Sequence, residues 1–232
     1  MTKRGLIYVV IPGLALCAML STAQAVTIGV GQSTEAWLGF MHVSNLPVPD
    51  GDGAYQWGSP WGVPDLNATF DDGANTLTLS PNTIGDPDPY WYIGGGGPGA
   101  PGNKIMDASL YIEETGTLHG QTVTFEGTVL ARTFTDAHVT RVFVKDFAPD
   151  YSSSVEQYAD VTGTGPFSVS LGTINDPARH VQYGFQTVGV NVWETDTEPF
   201  GSMVVGTIPE PATAGLLALG VLGIGLLRKR RS

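Results

Sequence analysis

Histidines and carboxylates are the side chains of this sequence that could do acid–base or metal chemistry, but their spacing matches no catalytic pattern. The histidines stand alone at His42, His119, His138 and His180, without the H-x-H or H-E-x-x-H spacing of a metal site. The sequence has no G-x-S-x-G nucleophile elbow and no G-K-[ST] phosphate loop, and no helical pattern follows Gly94–Gly97. A pair of carboxylates for glycoside hydrolysis stays open, because the fold sets their separation. We expect a protein that is not an enzyme.

Aromatic side chains are concentrated in residues 45–102, where a ring could stack on the apolar face of a sugar. Seven lie there: Tyr55, Trp57, Trp61, Phe70, Tyr90, Trp91 and Tyr92. Loop aromatics on a jelly roll are the design of many carbohydrate-binding modules, and the stretch from Gly120 to Val192 resembles such domains. We take Trp57, Trp61 and Trp91 as candidate glycan-stacking residues. The alternative is that the rings form a small secondary core beneath long loops.

Closely spaced carboxylates could supply oxygen ligands to calcium. The segment Asp50-Gly51-Asp52-Gly53 combines two carboxylates with a permissive turn, which suits a calcium loop. No segment matches the full twelve-residue EF-hand loop with its closing glutamate. The alternative is ordinary turn chemistry, since turns need aspartate and glycine in any case. We expect no cofactor other than a structural calcium ion, with Asp50 and Asp52 as its first candidate ligands.

These residues must be positioned by β-strands, because β-branched runs with period-two apolar placement recur along the middle of the chain. The candidate strands are Val26–Val30, Ala36–Val43, Thr76–Leu79, Ile105–Ile112, Thr122–Leu130, Val139–Phe147, Phe167–Leu171 and Val181–Val192. No helical pattern lasts three turns. The spacing predicts an all-β fold, an antiparallel β-sandwich or jelly roll, spanning residues 26–207. A change of alternation near Gln186-Thr187 predicts a bulge in the last candidate strand.

The two halves of this body differ in composition. Residues 45–102 contain 21 glycines or prolines among 58 residues, which predicts long connecting loops. Strand signals are denser after Asn103, and no repeat of fixed period indicates a solenoid or propeller. We expect one sandwich with an elaborated loop region, with two small domains as the alternative.

Residues 1–25 have the pattern of a secretory signal peptide that forms a helix. Lys3-Arg4 supplies the positive region, Leu6–Leu20 the apolar region, and Ala23-Gln24-Ala25 a small-x-small cleavage site. A permanent membrane helix and a lipoprotein attached through Cys17 are the alternatives, although the large Leu16 before the cysteine disfavours lipidation. Cleavage after Ala25 would remove the only cysteine of the chain.

A second apolar run, Ala212–Leu227, precedes the basic tail Arg228-Lys229-Arg230-Arg231. Its sixteen residues make roughly 24 Å of helix, which could span a bilayer core of about 30 Å with local thinning. The positive-inside rule keeps the basic tail in the cytoplasm and places the preceding body outside. A cleaved signal peptide predicts the same topology independently.

Directly before this run stands Ile208-Pro209-Glu210-Pro211, whose prolines hold the backbone extended. The order of Pro209, Glu210, Pro211, a glycine- and leucine-rich apolar run and an arginine-rich end resembles the PEP-CTERM sorting signal, also known as the ice-binding protein C-terminal domain. The resemblance covers residues 208–232. It implies recognition by an exosortase, an integral-membrane cysteine peptidase. An ordinary C-terminal membrane anchor is the alternative.

Charge separates the body from the ends. Between residues 26 and 208 there are five lysines and arginines against 21 aspartates and glutamates, a formal charge of −16, whereas the whole chain sums to −11. An acidic body argues against a nucleic-acid partner, which would need clustered basic residues. The charge favours a cation such as calcium over a polyanion as partner.

Together these patterns predict an exported protein that passes through the Sec machinery and is anchored transiently in the inner membrane. An exosortase would then deliver it to the cell surface or the extracellular matrix of a biofilm. We expect a non-catalytic body associated with exopolysaccharide. The alternatives are a carbohydrate-binding module that uses its loop aromatics, and a structural matrix protein without a ligand.

Overall fold

The computed structural model describes residues 24–208. They form twelve β-strands and two short 3-10 helices, Pro64–Leu66 and Glu198–Phe200. The strands are β1 (Ala25–Ile28), β2 (Leu38–Asn45), β3 (Tyr55–Trp61), β4 (Ala68–Asp71), β5 (Thr76–Leu79), β6 (Lys104–Thr115), β7 (Thr122–Arg132), β8 (His138–Phe147), β9 (Ser154–Asp160), β10 (Gly165–Gly172), β11 (His180–Val190) and β12 (Met203–Gly206).

The strands form two six-stranded sheets with a shared hydrophobic core. In sheet I, β7 pairs with β10 along one side and with β1 and β12 along the other, and β5 and β4 follow β12. Sheet II has the order β3-β2-β6-β11-β8-β9. Phe125 and Leu77 of sheet I and Met41 and Phe185 of sheet II are buried in the same core. The expected all-β, two-sheet architecture is confirmed.

The prediction of purely antiparallel pairing is wrong for β1. β1 runs parallel to β7, with Ala25 opposite Thr122 and Ile28 opposite Phe125. A tight hairpin would force antiparallel pairing, but the chain between these strands first builds β2 to β6, so their relative direction is free.

The bulge predicted near Gln186-Thr187 is also wrong. β11 keeps a continuous register with β6 and with β8 through both residues. The register shifts lie instead at Val43/Ser44 in β2 and at Val204/Val205 in β12. The change of alternation in β11 has another cause, because this central strand is buried on both faces over most of its length.

Strands β3, β4, β9 and β12 carry sequence signals too weak to predict them. β9 is largely exposed and reads as a polar segment, and β3 contains Gly58 and Pro60. Both are edge strands of sheet II, where proline is tolerated because one side of the strand needs no ladder hydrogen bonds.

The expected signal helix and C-terminal membrane helix lie outside the described residues. Within 24–208, the structure contains no helix of the length and hydropathy needed to cross a bilayer.

Candidate functional site

The face of sheet II that points away from the core combines aromatic and polar side chains. Successive residues of a strand point to opposite faces, so the core residues Leu110, Val144 and Phe185 place their neighbours outside. The central outer-face residues are Phe40, His42, Asp107, Ser109, Tyr111, Glu113, Arg141, Phe143, Lys145, Phe147, Gln182 and Gln186. Several of them are buried although they face away from the core, because they cover one another.

A groove of about 430 Å³ crosses this outer face from β3 to β8. It is lined by Phe40, His42, Pro60, Ser109, Tyr111, Glu113, Lys145, Phe147, Tyr151 and Gln182. Five strands at a spacing of about 4.8 Å give the groove a length of about 19 Å. The volume lies within the range of sites for small ligands, and the lining mixes apolar surface with a few polar groups, as such sites do.

Glu113 lies on β6, the middle strand of the groove, and is held there by two donors. The hydroxyl of Tyr151 donates to Glu113 Oε1 at 2.9 Å, and Gln182 Nε2 donates to Glu113 Oε2 at 2.7 Å. The Tyr151 ring stacks parallel on His180, with centroids 4.5 Å apart. Desolvation and the Glu113 carboxylate raise the pKa of Tyr151 to about 12, so its hydroxyl stays a donor at neutral pH. The amide oxygen of Gln182 takes no part in these hydrogen bonds, so it can accept a hydrogen bond from a ligand hydroxyl.

Lys145 lies on β8, the strand at the end of the groove opposite β3, and is only 8% exposed. Its ammonium lies 4.3 Å from the ring centroid of Phe143 and 5.5 Å from that of Tyr158. Burial lowers the pKa of Lys145, an effect that the charges of Glu156 and Asp107 oppose. In the part of the chain that the structure describes, no carboxylate oxygen lies within 4.0 Å of this ammonium.

Two further charged residues, Arg141 and Asp107, lie beside the groove on the same outer face. Arg141 Nε donates to Gln186 Oε1 at 2.5 Å, and the guanidinium lies 4.6 Å from the ring centroid of Tyr158. Burial raises the pKa of Asp107, which pairs in register with His42. Asp107 Oδ1 is buried and has no hydrogen-bond partner among residues 24–208. The outer face therefore holds partly satisfied charges in a poorly solvated setting.

The three predicted tryptophans come together at the β3 edge of sheet II. The rings of Trp57 and Trp61 stack with centroids 6.4 Å apart, and Trp91 meets Trp57 edge-on at 6.0 Å. Trp57 Nε1 donates to the hydroxyl of Tyr90 at 3.0 Å. All three rings are half-buried and pack against the core, so much of their surface is used within the protein.

Part of this tryptophan cluster stays open to ligands. Trp61 and Trp91 border a depression of about 600 Å³, whose rim includes Asp65, Asp86 and Glu194. Glycan stacking at the cluster remains a prediction, with Trp61 and Trp91 better placed for it than Trp57.

The proposed calcium ligands lie in an exposed turn. Asp52 Oδ1 accepts from Asn45 Nδ2 at 2.8 Å and from the backbone N–H of Ala54 at 2.9 Å. These hydrogen bonds lower the pKa of Asp52. Asp50 is exposed beside it. Residues 24–208 contain no group of three or more histidine, cysteine, aspartate or glutamate side chains arranged to hold a metal ion, and calcium at Asp50 and Asp52 remains a prediction.

The remaining predicted site residues concern processing. Ala25 opens β1, opposite Thr122. The other residues of the cleavage, sorting and tail motifs lie outside the described residues: Ala23, Pro209, Glu210, Pro211, Arg228, Lys229, Arg230 and Arg231.

The sequence patterns did not reveal the groove. Its residues come from five separate strands and one loop, and no short motif joins them. One signal was available. Ser109, Lys145 and Gln182 are polar residues that alternate with apolar core residues along β6, β8 and β11, and polar residues at such positions indicate an outer face that is covered or functional.

The fold and the groove define a class of protein: a two-sheet, all-β body with a ligand-sized groove across one outer face. Residues 207–231, which begin directly after β12, match the PEP-CTERM protein-sorting motif. The protein is therefore exported, as a precursor that transits the membrane and is sorted by an exosortase. No curated protein and no solved structure matches the chain.

Proposed function

We propose that the body of this exosortase-sorted protein binds an extracellular polysaccharide through the groove on sheet II, at the cell surface or in a biofilm matrix. The carrying observation is the groove itself, which combines aromatic walls with hydrogen-bonding groups along about 19 Å of sheet. Sugar rings offer apolar faces for Tyr111 and Phe147 and hydroxyls for Gln182, Ser109 and Glu113. The protein is not an enzyme in this proposal, and the jelly-roll connectivity of its sheets remains a prediction.

The position of the sorting motif supports this assignment. The chain leaves the described body at Ile208, whose backbone N–H donates to the carbonyl of Val30 at 2.7 Å. The preceding strand, β12, belongs to sheet I, whereas the groove lies on the outer face of sheet II. A body anchored through its C-terminal segment would therefore present the groove on the sheet that does not hold the anchor point.

Binding can be tested with the full chain, purified in a non-glycosidic detergent, on a panel of neutral and acidic polysaccharides. We expect retention on at least one polysaccharide and about tenfold weaker binding by Tyr151→Ala, since the variant removes an aromatic wall and the donor to Glu113. Tyr55→Ala is the control: Tyr55 is 60% exposed against 50% for Tyr151, and it does not itself line the groove, although its ring lies 5.8 Å from that of His42.

The tryptophan cluster is the second candidate, favoured by the depression beside Trp61 and Trp91. If Trp61→Ala abolishes retention and Tyr151→Ala does not, the glycan site lies at the cluster. Absence of retention on every polysaccharide, with the protein folded, would refute glycan binding and leave a structural matrix protein.

A further inference from the structure

The charged groups of the groove are satisfied unequally. Glu113 accepts hydrogen bonds from Tyr151 and Gln182 within the protein. Glu156, which pairs in register with Lys145, accepts from the hydroxyls of Ser154 and Tyr158. Glu113 and Glu156 are thus engaged by neutral donors, whereas Asp107, the other carboxylate whose charge acts on Lys145, keeps a buried Oδ1 without a hydrogen-bond partner among residues 24–208.

Lys145 lacks a comparable partner. Its ammonium contacts aromatic faces, and among residues 24–208 it has no ion pair within 4.0 Å. Lys145 Nζ has no protein acceptor, yet it is not among the fully buried side-chain atoms of residues 24–208 that lack a partner, so the ammonium reaches the space of the groove. Its three N–H donors can therefore bond to water or to a ligand. The groove therefore contains a nine-tenths buried cation that can bind an anionic group of a ligand.

The local charge on this outer face, rather than the net charge of the body, favours an anionic ligand at this place. The body has five lysines and arginines, and two of them, Arg141 and Lys145, lie on this outer face. The formal charge of −16 over residues 26–208 would repel a polyanion at long range. At physiological ionic strength that repulsion is screened beyond about 8 Å, so contacts inside the groove decide the selectivity.

We infer that the glycan bound in this groove is a uronate, whose sugar carboxylate pairs with the ammonium of Lys145 while its ring lies against Tyr111 and Phe147. The inference rests on the proposed function and specifies its ligand class. Hydroxyls of the same sugar would bond to Gln182 and Ser109, which line the groove beside Lys145.

The test compares each acidic glycan with its own neutral form. Oligogalacturonate and oligomannuronate are measured by calorimetry against the same oligosaccharides with their carboxylates reduced to hydroxymethyl groups, using the full chain in a non-glycosidic detergent. We expect the wild type to bind at least one uronate about tenfold more tightly than its reduced form, because a hydrogen bond to a charged group is stronger than one to a neutral group.

Variants of Lys145 test whether that preference for the uronate depends on its ammonium. Lys145→Met should abolish the preference for the uronate, and Lys145→Arg, which keeps the charge, should retain most of it. Lys104→Met is the matched control: Lys104 is also buried and lies 4.3 Å from the ring centroid of Tyr90, but outside the groove. The comparison of glycans in the wild type stays decisive even if Lys145→Met fails to fold.

The outcomes separate the two proposals. Equal or tighter binding of the reduced glycans, or a uronate preference unchanged in folded Lys145→Met, would overturn the uronate inference and leave glycan binding intact. If the protein binds only neutral polysaccharides, the uronate inference is likewise overturned and glycan binding is left intact. Absence of binding to any glycan would overturn both.

Discussion

Several ionisable side chains on the outer face of sheet II lie where little solvent reaches them. Asp107 is the clearest case: burial raises the pKa of its carboxyl, although the charges of His42, Lys145 and Arg141 act in the opposite direction. A raised pKa means that the folded protein binds this proton more tightly than the unfolded chain does. The contribution to folding is therefore favourable at low pH and is lost as the pH rises through the folded-state pKa.

We predict that Asp107→Asn stabilises the protein at pH 7 by about 1 kcal/mol, because the amide avoids burying a poorly satisfied charge. The gain should shrink as the pH approaches the ordinary aspartate value of 3.8. Urea unfolding at pH 7 and at pH 4 measures both effects. Asp136→Asn, on an exposed turn, is the control. A loss of stability at pH 7 would show that Lys145 and Arg141 outweigh the burial of Asp107.

The elements of sheet II are held in place by a buried ion pair and by close strand packing. Asp146 of β8 accepts from Arg179 Nε at 2.7 Å and from the backbone N–H of Ile174 at 2.7 Å. Arg179 Nη2 also donates to the backbone carbonyl of Asp146 at 2.8 Å. This pair fastens the loop between β10 and β11 to β8, and so keeps β11, the strand of Gln182, in register beneath the groove.

Removing one partner of this pair should be harmful, because it leaves the other charge buried. Arg179→Met is expected to destabilise the protein by about 3 kcal/mol, and Arg179→Met combined with Asp146→Leu by less. Arg132→Met is the matched control, since Arg132 donates to the carbonyls of Val161 and Phe134 without a buried carboxylate partner. Chemical denaturation measures the free energy of unfolding of the three variants relative to the wild type. A double variant less stable than Arg179→Met would contradict this prediction.

β6 and β11 approach closely at Gly184, which lies opposite Tyr111. A Cβ at Gly184 would lie 2.1 Å from the carbonyl oxygen of Leu110 and 2.8 Å from the Cα of Tyr111. Backbone atoms cannot yield without separating the strands, so Gly184→Ala should cost about 2 kcal/mol and displace the groove wall. Gly172→Ala in β10 should be nearly neutral, because no atom lies within 4 Å of its Cβ position. Equal unfolding midpoints for both variants would refute this.

Across the whole molecule, the two ends of the described chain meet on sheet I. β1 and β12 share one side of β7, and Ile208 is hydrogen-bonded to Val30. The PEP-CTERM motif, at residues 207–231, begins at this point, one residue after β12 ends. The folded body and the sorting segment are therefore joined without an intervening linker.

Sorting should depend on Glu210 and on the basic tail. We predict that Glu210→Ala, or deletion of residues 228–231, leaves unprocessed precursor in the inner membrane, while Glu198→Ala, an exposed glutamate of the body, is processed normally. Fractionation with mass spectrometry of the product measures this. Wild-type mass and location for both sorting variants would show that these residues are not needed for recognition.

Local patterns were sufficient for the strands with dense β-branched runs and for the sorting motif. β5 has the predicted bounds, and the predicted cores of β6, β7 and β8 lie within the observed strands, because alternation and turn residues are local properties. The motif is equally local, a short segment that a peptidase binds. Edge strands such as β9 were missed, since an exposed edge needs few apolar residues.

The parallel pairing of β1 and the groove depend on contacts between distant segments. Lys145, Gln182 and Glu113 are neighbours because β8, β11 and β6 pair in one register, and a shift of one residue would turn each side chain into the core. Composition and motifs do not encode that register. It follows from packing two sheets around one core, which is why the sorting of this protein could be inferred from sequence and its candidate ligand site required the folded structure.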